Sequence, residues 1–132
     1  MACAQWPLMH NRPAIEIILT LAPAGQKVNR RLLAETGAGN VQAHFEMLLD
    51  ENDCLLCGGK PAQTISLGGA YTGSFPLYVI RVRIPLLGFD DDLVAVGVPN
   101  PPKGFDGIAC FRFLNRFTYG NFGDPAEFAL ET

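Results

Sequence analysis

The sequence predicts one mostly β domain with two short helices, and three observations lead there. Apolar residues alternate with polar ones along Ile15, Ile17, Leu19 and Leu21, and again along Ile80, Val82 and Ile84, which is the period of a half-buried strand. Glycine occurs 14 times and proline 10 times in 132 residues, more punctuation than long helices tolerate. Nine phenylalanines, with many valines and isoleucines, supply β-favouring side chains. The length, 1–132, is that of a single domain. At 48% hydrophobic and 17% charged residues the chain can fill a core, which excludes a disordered tail. Thirteen acidic against ten basic residues leave a net charge of −3 with no basic stripe, so no nucleic-acid partner is expected. No apolar run reaches the length of a membrane helix. Met1 to Pro7 lacks a basic stretch followed by an apolar one, so the expected location is cytoplasmic. There is no solenoid repeat.

The elements follow in order. Pro13 to Leu21 is a strand with Glu16 and Thr20 on its polar face, Pro23-Ala24-Gly25 breaks it, and Lys27 to Ala34 returns as a hairpin partner. Glu35 to Asn40 is a sharp turn rich in small residues. Val41, Phe45, Leu48 and Leu49 stand at i, i+4, i+7 and i+8, which predicts one or two turns of amphipathic helix over Val41 to Leu49. Gln63 to Leu67 is a short strand ending at Gly68-Gly69, and Ala70 to Gly73 is a hairpin tip. Phe75 to Ile84 is the longest strand, with Arg81 and Arg83 on its wet face. Leu87 to Asp92 is a turn whose Asp90-Asp91-Asp92 run is solvated, and Leu93 to Val98 runs back. Pro99-Asn100-Pro101-Pro102 is a loop. Gly107 to Cys110 is a brief apolar run, a short helix gathers Phe113, Leu114 and Phe117 on one face, and Phe128 to Leu130 closes the chain as a strand.

Few residues offer chemistry. Two histidines, His10 and His44, without a Gly-x-Ser-x-Gly elbow, leave little room for a nucleophile activated by an imidazole. Cys54 and Cys57 form one Cys-x-x-Cys, two ligands short of a zinc site and outside a βαβ redox context, and so read as reduced thiols in or near the core. The Asp90 to Asp92 run lacks the spread of oxygens and the distal glutamate of a calcium loop. Gly37-Ala38-Gly39 lacks the lysine of a phosphate-binding loop. What remains is Glu35-Thr36-Gly37-Ala38, an acid presented at the end of an apolar strand, with a hydroxyl beside it and a glycine that lets backbone approach.

The order of pieces around that acid is informative. A strand hairpin leads into Glu35-Thr36-Gly37-Ala38, a glycine-rich hairpin follows at Gly68 to Gly73, and after two long strands comes Gly104-Phe105-Asp106-Gly107-Ile108-Ala109-Cys110, ahead of a helix with Phe113, Leu114 and Phe117. From Pro13 to Phe117 this resembles the retropepsin-like aspartic proteases, the retroviral proteases and their bacterial and eukaryotic relatives. There a hydrophobic strand ends in Asp-Thr/Ser-Gly-Ala, and a Gly-x-Asp-Gly-hydrophobic-hydrophobic-Gly stretch enters a short helix. Two positions differ: Glu35 stands where the family carries aspartate, and Cys110 where it carries glycine.

The resemblance implies a closed, orthogonal β-barrel with a flap hairpin and one or two short helices. It implies catalysis by Glu35, Thr36 and Gly37, and substrate contacts from Ala38, Gly68, Gly69, Ala70, Tyr71, Thr72 and Gly73. It implies no metal and no cofactor. The chain holds one acid-Thr-Gly, half of a shared carboxylate dyad, so activity requires a homodimer acting on an extended peptide. Glutamate adds a methylene to a site where about half an ångström matters, so less activity is expected than with aspartate. The alternative is a catalytically silent peptide-binding or structural module on the same fold, favoured by the residues at positions 35 and 110.

Overall fold

The computed structural model describes residues 1–22 and 24–132. Pro23, in the break expected after the first long strand, lies outside the described residues. The elements are β1 (Cys3–Pro7), β2 (Ala14–Leu21), β3 (Gln26–Ala34), β4 (Met47–Asp50), α1 (Glu51–Leu56), β5 (Gln63–Leu67), β6 (Gly73–Ile84), β7 (Phe89–Val98), β8 (Gly107–Ala109), α2 (Phe111–Leu114), β9 (Thr118–Gly120) and β10 (Glu127–Glu131). Six strands in the order β2-β3-β8-β4-β7-β6 form a barrel, which closes where Ile18 of β2 pairs with Arg83 of β6. β5 extends β6 as a hairpin outside the ring, and β1-β10-β9 form a separate small sheet. Among the described residues no helix is long and apolar enough to cross a membrane.

Period two holds where one strand face meets the core. Ile15, Ile17 and Leu19 of β2 are buried, while Glu16, Ile18 and Thr20 between them are only half-buried. Ile80, Val82 and Ile84 of β6 turn inward to the same cluster. Burying such side chains stabilises by about 1.5–3 kcal/mol each. A second apolar cluster occupies the opposite face of β3, β4, β7 and β8 and includes Leu33, Leu48, Val96, Val98 and Ile108. β4, β8 and the C-terminal ends of β3 and β7 are therefore covered on both sides.

That double burial overturns the helix expected over Val41 to Leu49. Met47, Leu48 and Leu49 are consecutive and all buried, because β4 runs parallel to β7 and antiparallel to β8 with a cluster on either face. Val41 is 55% exposed and belongs to no apolar stripe. A short strand buried on both faces reads as a continuous apolar run, which over a few residues mimics helical spacing. The helix comes later, as α1, where the Asp50 side chain caps the first turn by accepting from the Asn52 N–H at 2.9 Å.

The turn expected at Leu87 to Asp92 is shorter than expected. A 3₁₀ turn at Pro85–Leu87 and Gly88 reverse the chain, and β7 already begins at Phe89. Asp90, Asp91 and Asp92 are strand residues facing Arg83, Val82 and Arg81 across the ladder. Arg81 grips Asp90 through two hydrogen bonds of 2.7 and 2.9 Å. The acidic run is one rail of a cross-strand charge ladder. The strands β1 and β9 had no sequence signature. β1 pairs along its whole length with β10, and Trp6, opposite Phe128, packs against the main core cluster.

The segment before β8 is the tightest place in the fold. The Asp106 carboxylate accepts from the Arg31 N–H at 2.8 Å, and the Asp106 N–H donates to the Arg31 carbonyl at 2.8 Å, extending the parallel β3–β8 pairing by a side chain. A β-carbon on Gly107 would lie 2.3 Å from the Leu48 carbonyl oxygen. Gly107→Ala is therefore expected to cost about 1–3 kcal/mol or more, as overpacking does. Gly68→Ala, which meets open space, should stay within about 0.5 kcal/mol. Urea denaturation of the two variants checks the contrast.

A pH dependence follows as well. Burial pushes the Cys54 and Cys110 thiols and the Tyr78 hydroxyl each up to about 12. The unfolded chain ionises these groups from about pH 9 upward while the folded chain keeps them protonated. Their contribution to stability should be constant below that point and be lost between about pH 9 and 12, measured as the urea midpoint against pH.

Candidate active site

The Glu35 loop is anchored at both ends. The Glu35 N–H donates to the Ala109 carbonyl at 3.0 Å, one more rung of the β3–β8 pairing, and the Phe111 N–H at the start of α2 donates to the Ala38 carbonyl at 2.9 Å. Inside the loop, the Ala38 N–H reaches the Glu35 carbonyl at 3.2 Å. The Glu35 side chain folds back so that Oε1 accepts from the Gly37 N–H at 2.9 Å. Glycine permits this, since a β-carbon there would sit 3.1 Å from that oxygen. Beneath the loop lies Cys110, fully buried. Its thiol is held protonated first by burial, with the charge of Glu35 pushing the same way.

The loop forms one wall of a cleft of about 820 Å³. Leu33, Leu48 and Ile108, from the apolar cluster on that face of the barrel, make its floor. The β5–β6 hairpin, from Leu67 to Thr72, roofs it, and Pro99 to Pro102 make the rim beyond. The roof is latched to that rim: the Tyr71 hydroxyl donates to the Asn100 carbonyl at 2.8 Å, while its ring meets Phe75 edge-on at 6.4 Å. Thr72 Oγ1 donates to the Gly69 carbonyl at 3.1 Å and stiffens the tip.

Of the residues singled out from the sequence, Glu35, Gly37 and Ala38 line this cleft together with Gly68, Gly69, Ala70, Tyr71 and Thr72. Thr36 and Gly73 do not. Thr36 is exposed at the turn, and Gly73 opens β6 opposite Leu67. Arg12 and the Pro99 to Pro102 rim belong to the cleft but carried no sequence assignment to it; three prolines in four residues were the one signal of a stiff edge. His10 packs edge-on to Phe105 at 5.8 Å, and His44 is exposed. Cys54 is buried in the core at α1 and Cys57 is half-buried. Among the described residues no three His, Cys, Asp or Glu side chains gather so as to hold a metal ion. Glu35 is the only carboxylate among the described residues that line the cleft.

Compared with protein-family models, curated proteins and solved structures, the chain matches none.

The latch gives a direct expectation. Tyr71→Phe removes one hydrogen bond, at about 0.5–1.5 kcal/mol, and should speed amide hydrogen exchange over residues 66–74 severalfold while leaving the barrel strands unchanged. Equal exchange in that segment would mean that the hydroxyl holds nothing down.

Proposed function

We propose that two copies of this chain form a retropepsin-like aspartic endopeptidase, with Glu35 of each copy contributing one carboxylate. The observation that carries the reading is Glu35 itself: a lone acid, on a loop pinned at both ends, in an apolar cleft roofed by a glycine-rich hairpin. The closed barrel supports it, because the acid loop leaves β3 beside β8, and β8 leads directly into α2, the order expected of that fold.

One chain supplies one acid, and activating water while protonating a carbonyl takes two. Two carboxylates at close range share a proton, because both cannot ionise cheaply. The ionised member takes a proton from water as the oxygen attacks the peptide carbonyl carbon. The protonated member gives its proton to the carbonyl oxygen, leaving a neutral tetrahedral diol. As the diol collapses and the C–N bond breaks, one diol hydroxyl gives its proton to the ionised carboxylate and becomes the new carbonyl, while the protonated carboxyl gives its proton to the departing amine, so the dyad again holds one proton. In each copy the Gly37 N–H orients the Glu35 carboxylate. The fold-back also takes up part of the extra methylene, drawing the carboxylate toward its own loop. An extended peptide would pair with the hairpin roof and set its side chains on the floor of Leu33, Leu48 and Ile108.

The same hydrogen bond favours a second reading, a peptide-binding module without hydrolysis, because a glutamate engaged by its own loop projects less far into the cleft. Peptide cleavage from about pH 3 to 7 by the parent chain, Glu35→Asp and Glu35→Gln separates the two. The expected result is slow cleavage by the parent, none by Glu35→Gln, and faster cleavage by Glu35→Asp, by up to about 100-fold, the effect of a misplacement near 1 Å. Cleavage by Glu35→Asp alone supports the silent module. Cleavage by the parent that survives in Glu35→Gln contradicts both.

A further inference from the structure

We infer that Arg12 selects peptides bearing a carboxylate; the inference rests on the peptide-cleft reading and adds to it the class of substrate. Among the described residues the cleft is lined by two charged side chains, Glu35 and Arg12. They do not pair with each other within 4 Å. The chain has seven arginines. Arg30, Arg31, Arg81, Arg83 and Arg116 each bridge a carboxylate, and Arg112 donates to the Ala43 carbonyl. Arg12 alone has neither a carboxylate nor a carbonyl partner among the described residues, and Arg12 is the one that faces the cleft.

Its position is built. Met9 and Arg12 exchange both backbone hydrogen bonds, at 2.9 and 3.0 Å, across a two-residue turn. The turn residues His10 and Asn11 have φ of 53° and 60°, the left-handed conformation such a two-residue turn requires and one that histidine and asparagine adopt more often than most residues. The guanidinium carbon lies 5.9 Å from the centre of the buried Phe105 ring, whose orientation His10 holds by its edge contact. An aromatic platform under a guanidinium limits its motion and leaves the planar N–H fork free for a ligand. The group that matches such a fork is a carboxylate, taken with two parallel hydrogen bonds. In a peptide it comes from an aspartate or glutamate side chain or from the C-terminus. With apolar side chains on the floor and one fixed cation at the rim, the cleft fits an apolar peptide segment with one acidic group.

The test measures binding, which separates selection from hydrolysis. Fluorescein-labelled apolar decapeptides, each with one Glu scanned along its length, are compared with their Gln isosteres, and free-acid with amidated C-termini. Titrations use Glu35→Gln protein alone and combined with Arg12→Gln or Arg12→Glu. The expected result is that at one position, or at the free C-terminus, the acid binds about tenfold tighter than its neutral isostere. The ratio should drop to near one with Arg12→Gln and reverse with Arg12→Glu, while the neutral peptides bind within about twofold of before. Which peptide series responds tells a side chain from a terminus. A ratio that Arg12→Gln leaves unchanged, with neutral peptides still bound, overturns the selection by Arg12 and leaves the peptide cleft standing. No binding of any peptide by the folded protein overturns both. A change of oligomeric state on Arg12→Gln in sedimentation would also overturn it, because the arginine would then serve an interface between copies.

Discussion

The close parallel pairing of β3 with β8 is the constraint on which the rest depends. Three backbones, β3, β8 and β4, lie side by side so tightly that Gly107 has no room for a β-carbon against the Leu48 carbonyl. Asp106 continues the pairing with its carboxylate where the strand has not yet begun. One rung beyond its other end, Glu35 bonds to Ala109, so the acid loop leaves the sheet in a fixed direction. The same stretch ends in Cys110, whose carbonyl accepts the N–H groups of Phe113 and Leu114 and starts α2. α2 in turn drives two fully buried side chains, Phe113 and Leu114, into the core. Loop, helix and core thus share one anchor.

Double burial of the central strands divides the apolar residues between two tasks. Those facing the main cluster fill the barrel, and those facing the other way form the cleft floor. The bidentate ion pair between Arg116 and the buried Glu46, at 2.6 and 2.7 Å, joins the end of α2 to the segment before β4. Loop and floor are therefore rigidly related. The roof differs, since its glycine-rich tip is exposed and is tied to the rim by one hydrogen bond from Tyr71, with Leu67 and Tyr71 only partly buried against the floor cluster. Local opening is therefore expected first at the roof, above a fixed floor.

Legibility in the sequence follows burial. β2 and β6 were readable because half-buried antiparallel strands print their alternation directly, and β3 followed as the hairpin return of β2. β4 was not, because both its faces are covered and four residues are too few to separate strand from helix. α1 was missed for the opposite reason: it buries Asp53, gripped by Arg30 at 2.8 Å, and exposes Leu55 and Leu56, inverting the usual apolar stripe. The acidic run at Asp90 reads alike in a turn and in a strand, and the register with Arg81 and Arg83 decides between them. The acid-Thr-Gly loop and the glycine hairpin were visible as local motifs. Arg12 and the Asn100 rim were not, because residues 12, 35, 71 and 100 meet only through long-range strand pairing.

The central claim is that one working site needs a Glu35 from each of two copies, and subunit mixing tests it most directly. Parent protein is mixed with Glu35→Gln at a fixed total concentration, allowed to exchange, and assayed for peptide cleavage. If both carboxylates are required, mixed dimers are inactive and activity follows the square of the parent fraction, so an equal mixture retains about a quarter of the parent rate. A rate proportional to the parent fraction, about one half at equal mixing, would mean that each copy works alone and would contradict the shared dyad.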